Sequence, residues 1–298
     1  MKNANRRYYR IAGVVVRVES DLPITDGTFM PRFRLFETDG PGDDTITIRH
    51  HSIDPPMTPR EFGRRVYRQP PWAVYDDGRS WIYVAIDDDD VPLKGGQVAV
   101  FSRDYSDGDI YTPDPRIFRR GDIQSITLMP SDQVLLAQVF AARRACYLHS
   151  SGVILNGKGL LFAGHSDAGK STMVKMLKGR AEILCDDRVV IRKEVDGFRI
   201  HGTWSHGEVP DVSPSSAPLR GIFVLIKSEE NACLPMEDKK VVVKNLLEFL
   251  IKPYANPRWW ESTLSLIGEI AAEVPCHTLL FDRSGKVVDL LESMTADV

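Results

Sequence analysis

Short runs rich in β-branched and aromatic residues, set between polar and turn-forming positions, mark the first 125 residues of the chain as a mostly β region. Residues 8–20 are β-branched and aromatic and predict a strand, with further short strands over 33–36 and 45–49. Apolar runs at 72–75 and 81–86 flank Asp76-Asp77-Gly78-Arg79-Ser80, a cluster of turn formers that predicts a hairpin. Residues 98–101 and 110–111 continue the β pattern, and the proline-rich stretch 55–71 reads as a loop with one helical turn. From Ser131 the period changes: that serine is placed to cap a helix carrying Val134, Leu135, Gln138, Val139 and Ala142 at helical spacing. Residues 152–155 and 158–163 bracket Asn156-Gly157, a strong two-residue hairpin signal, and 189–191 and 198–200 bracket Asp196-Gly197 in the same way. Residues 183–185 and 221–226 read as buried strands, 241–251 and 261–272 as helices, and 276–281 with 287–291 as closing strands.

One stretch changes the picture from fold to chemistry. Gly164, Gly169, Lys170 and Ser171 complete the pattern G-x-x-x-x-G-K-[ST], the Walker A form of a P-loop. The context fits, because residues 160–163 predict a buried strand and 172–178 an amphipathic helix. In such a loop the backbone N–H groups of Gly164, His165, Ser166, Asp167, Ala168, Gly169, Lys170, Ser171 and Thr172 surround the phosphates of a nucleotide. Lys170 would reach the β- and γ-phosphates and the Ser171 hydroxyl a magnesium ion. Asp167 is unusual there, since a carboxylate repels polyphosphate, and it is expected to face solvent.

The apolar run 183–185 ends in two adjacent carboxylates, Asp186 and Asp187, one short helix after Lys170. Neighbours on a strand point to opposite faces, so at a strand end the pair can divide, one on a metal and one on a nucleophile. Asp186 is assigned to magnesium and Asp187 to the general base, although strand alternation alone does not say which faces inward. The polar stretch 201–216, with Trp204, His206 and Glu208, reads either as a substrate loop or as an ordinary surface loop.

His149 before the hairpin, the Gly164–Ser171 motif and Asp186-Asp187-Arg188-Val189 together resemble the catalytic domain of HPr serine kinase/phosphorylase. ATP-dependent phosphoenolpyruvate carboxykinase, with the same order of His, phosphate loop and paired Asp, is more distantly similar. Residues 202–208 and 216–223 are similar to HPr-kinase-related proteins more than to the bacterial regulatory enzyme, and the resemblance covers roughly residues 130–290. It implies an α/β fold: an HPr-kinase/PEP-carboxykinase-like P-loop domain with a mixed β-sheet over residues 129–298, preceded by a β-rich N-terminal domain over 1–128. It also implies a kinase using ATP and Mg2+ to phosphorylate a hydroxyl acceptor, serine of a peptide or protein. Catalytic roles then fall on Asp187, Asp186, His149 and Lys170, metal binding on Ser171 and Asp186, and acceptor contacts on Trp204 and Glu208. The glycine-rich signature with which HPr kinases engage their protein substrate is missing, so the resemblance does not carry HPr itself over. A small-metabolite kinase or carboxykinase-like enzyme, and a nucleotide-binding regulatory module without turnover, stay open beside this reading.

Composition narrows the partners. With 298 residues, 43% hydrophobic content and a net charge of −3, the chain makes no case for nucleic acid or a membrane surface. It has no span-length apolar stretch and no apolar signal core near Met1, so a cytoplasmic protein is expected, with a homo-oligomer allowed for. Four widely separated cysteines read as free thiols. Asp87-Asp88-Asp89-Asp90 reads as a solvated loop, and the His50-His51 pair lacks a third ligand at metal spacing.

Overall fold

The computed structural model describes residues 4–89, 96–127, 132–253 and 256–296. The chain divides into two compact units, Met1–Val139 and Phe140–Val298. Asp90, Ser131 and the expected division after residue 128 lie outside the described residues. The architecture is mixed α/β with two mixed sheets.

The first unit is built on a nine-stranded sheet. Its strands are β1 (Arg6–Ile11), β2 (Val14–Ser20), β3 (Glu37–Thr38), β4 (Thr45–His51), β5 (Arg64–Gln69), β6 (Trp72–Asp76), β7 (Ser80–Ala85), β8 (Val98–Ser102) and β9 (Asp107–Tyr111). They lie in the order β3-β1-β2-β4-β9-β8-β7-β6-β5, with β4 parallel to both β2 and β9. A short helix, α1 (Pro115–Arg120), follows, capped by the Asp114 carboxylate accepting from the Arg116 N–H. Residues 8–20 form two strands, because Ala12 and Gly13 both take positive φ and turn the chain back on itself. Residues Pro31–Phe36 form a 3-10 helix instead of a strand: Phe33 and Phe36 are buried three apart, which suits a three-residue turn.

The second sheet contains β10 (Ala145–Leu155), β11 (Lys158–Ala163), β12 (Glu182–Cys185), β13 (Arg188–Glu194), β14 (Gly197–His201), β15 (Ser216–Lys227), β16 (Ala232–Pro235) and β17 (Cys276–Phe281). Helix α2 (Asp132–Ala141) precedes it, and α3 (Lys170–Leu177), α4 (Lys239–Phe249), α5 (Pro257–Glu273) and α6 (Lys286–Thr295) are threaded between and after its strands. The order is β11-β10-β13-β14-β15-β17-β16, with β12 on β10 and a further parallel pairing of β11 with β15. Both expected hairpins form, β10–β11 around Asn156-Gly157 and β13–β14 around Asp196-Gly197. Residues 287–291 are helical and do not close the sheet. Val287, Val288 and Leu291 are buried at positions i, i+1 and i+4, which one helix face accommodates and strand alternation does not.

Strand β11 shows how the layers form. Leu160 and Phe162 pack on one face with Met173, Val174 and Leu177 of α3 and Val287, Val288 and Leu291 of α6. Leu161 and Ala163 face the other way, toward Leu246 of α4 and Ile267 and Ile270 of α5. Burying each such aliphatic side chain is worth roughly 1.5–3 kcal/mol. The loop at the end of β11 is therefore held by a strand packed on both faces. Among the described residues no helix is long and apolar enough to cross a membrane.

Candidate functional site

Strand β10 changes partners halfway along. Residues 145–149 ladder onto β13, with His149 opposite Arg188. From Ser150 the strand ladders onto β11, with Ser150 opposite Ala163. Ala163 is the last residue before the glycine loop, and Arg188 is the first after the paired aspartates. The switch thus brings His149, the loop and Asp186-Asp187 to one place. Two further bonds tie the aspartates to β10: the Ser150 N–H donates to the Asp187 carbonyl at 3.0 Å and the Ser151 hydroxyl to the Asp186 carbonyl at 3.1 Å.

Residues 164–169 run from β11 into α3. Gly164 is buried, His165, Ser166 and Asp167 are exposed, and Ala168 and Gly169 are half-buried. A turn is closed by the Ala168 N–H on the His165 carbonyl at 3.1 Å, with Asp167 at φ 64°. Gly169 caps α3 at φ 104°, a left-handed conformation that a side chain would strain. The first-turn N–H groups of α3, among them those of Lys170, Ser171 and Thr172, have no acceptor within their own helix, and the positive end of its dipole meets the loop. The His165 ring packs edge-on against Phe249 with centroids 5.7 Å apart, and its Nε2 lies 3.8 Å from Glu248.

Lys170 is only 9% exposed. Its ammonium donates to the carbonyls of Gly164 at 2.8 Å and His165 at 3.2 Å. Burial pushes its pKa down, against the pull of Asp187, Asp167 and Asp186. Asp187 is held at both oxygens: His149 Nδ1 lies 3.2 Å from Oδ1, and Arg188 Nη1 donates to Oδ2. Burial pushes this carboxyl up, but the His149 hydrogen bond, Arg188 and Lys170 together outweigh it and leave it below the usual carboxylate range.

Asp186 points elsewhere. It is 2% exposed, with Oδ1 accepting from the Gly207 N–H and Oδ2 from the Val209 N–H at 2.8 Å. Gly207 permits this approach, since a Cβ there would sit 3.2 Å from both carboxylate oxygens. The buried Cys185 thiol, its pKa pushed up to about 12 by burial, braces the turn: Sγ accepts from the N–H groups of Asp187 at 3.2 Å and Arg188 at 3.0 Å. It also donates to the Ser205 carbonyl, and Thr203 Oγ1 donates to the Arg188 carbonyl. The bracing roles of Cys185 and Thr203 have no local signal in the sequence, and Arg188 enters it only as the residue that directly follows the aspartates.

The residues expected to meet an acceptor are placed differently from one another. Trp204 is 2% exposed, so its indole belongs to the packed interior, as a large apolar ring favours. Glu208 is exposed and pairs with Lys175 of α3 at 2.8 Å. Among the described residues no group of three or more His, Cys, Asp or Glu forms a metal cage. The Ser171 hydroxyl and the Asp186 and Asp187 carboxylates are oxygen donors of the kind that magnesium takes, one or two carboxylates with phosphate and water completing its shell. At Asp186 a metal would use the lone pairs left beside the two backbone donors.

No curated protein matches this chain. Among solved structures, the Hpr(Ser) kinase/phosphatase from Coxiella burnetii is similar over 50% of this chain and 87% of that one, at 10% identity and a TM-score of 0.31. The family model described as SynChlorMet cassette protein ScmC matches residues 121–295, more than half of the sequence. The chain is a member of the ScmC family of SynChlorMet cassette proteins.

Proposed function

We propose that this protein is an ATP-dependent phosphotransferase that moves the γ-phosphoryl group onto a hydroxyl acceptor, a serine of a peptide or protein. The observation that carries this reading is the convergence, at the β10 partner switch, of a glycine loop heading a helix, a buried lysine and a carboxylate held by a histidine. The phosphates would lie against the N–H groups of residues 164–172, with Lys170 leaving the Gly164 and His165 carbonyls to meet them. Ser171 and Asp186 would hold magnesium, which when bound neutralises phosphate charge. Asp187 accepts the acceptor's hydroxyl proton while His149 orients the carboxylate. The acceptor oxygen bonds to the γ-phosphorus, the bond from that phosphorus to the bridging oxygen breaks, and ADP departs with the bond's electron pair.

A nucleotide-binding module without turnover is the second reading, favoured by the engagement of both Asp187 oxygens with protein groups, His149 at Oδ1 and the Arg188 guanidinium at Oδ2. Two measurements separate the possibilities. Lys170→Ala removes a charge-assisted contact worth about 1.5–3 kcal/mol and should weaken Mg-ATP binding roughly ten- to hundredfold by calorimetry. Unchanged affinity would sink the nucleotide site itself. Transfer of label from γ-labelled ATP to serine-containing peptides supports the kinase, whereas tight binding without transfer or ATP consumption supports the module.

A further inference from the structure

Arg188 is a buried-site cation that the reading above leaves without a task. Its backbone is pinned on both sides, its N–H on Cys185 Sγ and its carbonyl on Thr203 Oγ1, and it stands opposite His149 in the ladder. The guanidinium is less constrained. It is 23% exposed, one Nη donates to Asp187, and Nε is buried with no hydrogen-bond partner. An arginine with an unpartnered buried donor is a poor end state, because the desolvation cost of that N–H is uncompensated.

The neighbouring charges are instead held by groups of the protein itself. Lys170 spends its ammonium on two carbonyls of its own loop, and Asp187 spends one oxygen on Arg188 and the other on His149. Cations near a phosphate loop are thus occupied by protein acceptors that a phosphoryl group outcompetes in charge and in number of oxygens. A guanidinium presents a planar fork of donors that matches phosphate, which an ammonium does not.

We propose that Arg188 reads the terminal phosphate: the γ-phosphoryl group draws its guanidinium off Asp187 Oδ2 and leaves that oxygen open to the acceptor hydroxyl. ADP, which lacks the group, leaves the Arg188–Asp187 pair closed. The site then becomes competent only with a triphosphate in place. This inference rests on the nucleotide-binding reading of the same site.

The test is calorimetric titration of Mg-ADP and of the magnesium complex of the β,γ-imido ATP analogue into wild type, Arg188→Gln and Arg188→Lys, with thermal melts to verify folding. Arg188→Gln should lose about tenfold or more in affinity for the triphosphate analogue and less than about threefold for ADP. Arg188→Lys, which keeps the charge but not the fork, should fall between wild type and Arg188→Gln for the analogue. Equal losses for both nucleotides, or no loss for either, overturn the proposal. Should Arg188→Gln fail to fold, Arg188→Lys decides, a selective loss of about threefold supporting the inference and an unselective change refuting it. Wild type that binds neither nucleotide would instead overturn the nucleotide-binding reading, and this inference with it.

Discussion

Replacing Asp186 with asparagine separates two jobs that the same carboxylate can hold. Asp186 is 2% exposed and accepts the Gly207 and Val209 N–H groups on its two oxygens. Asparagine keeps one acceptor oxygen without the charge and turns an NH2 group toward the other backbone N–H. One charge-assisted bond, worth about 1.5–3 kcal/mol, is weakened, and the second becomes donor against donor, leaving a buried N–H unsatisfied at about 1–3 kcal/mol. A combined cost of roughly 3 kcal/mol follows, concentrated on the segment around residues 202–209. Since about 1.4 kcal/mol is a factor of ten, amide exchange at Gly207 and Val209 should quicken on the order of a hundredfold. Hydrogen exchange followed by mass spectrometry, without nucleotide or magnesium, measures this, with a peptide from β11 as the unperturbed reference. Exchange within threefold of wild type would refute the assignment of Asp186 as the anchor of this loop. A metal role reads out separately, as a higher magnesium requirement for ATP binding by the same variant.

Trp204→Ala should destabilise the second unit by about 3–5 kcal/mol in urea unfolding, as truncation of a buried tryptophan does, and wild-type stability would contradict its interior placement. Glu208→Gln, which breaks a solvent-exposed pair with Lys175, should leave both the urea midpoint and the Mg-ATP affinity as in wild type; a clear shift in either would show that the pair does more. In the first unit His50 is 3% exposed with Nε2 2.7 Å from the Ile126 carbonyl, and burial pushes its pKa down to about 4. The unfolded chain, with a histidine pKa of about 6.5, binds a proton that the folded one refuses, so this contribution is complete above about pH 6.5 and is lost as pH falls toward about 4. The loss is about 1.4 kcal/mol per pH unit, and His50→Gln should flatten the pH dependence of the urea midpoint between pH 7.5 and pH 5. An unchanged slope would mean that His50 does not fold as a buried neutral ring.

Local chemistry was enough for much of the scaffold around the site. Asn156-Gly157 and Asp196-Gly197 set hairpins because both turns need residues that tolerate positive φ, and the strand, glycine loop and helix of residues 158–177 follow one another as their composition and period require. Short apolar runs carried less information. Residues 33–36 and 287–291 hold too few apolar positions to separate periods of two, three and 3.6, and packing partners settled both as helical. The arrangement of the candidate site lay further out of reach. That Asp186 turns toward Gly207 and Val209 while Asp187 turns toward His149 depends on segments far apart in the chain. Trp204 lies inside although the stretch around it, residues 201–216, is polar and announces no burial. Residue types and turn chemistry act over a few positions and are written in the sequence itself. The partner switch of β10, which places His149, the glycine loop and the aspartates together, is set by non-local ladders that exist only once the sheet has formed.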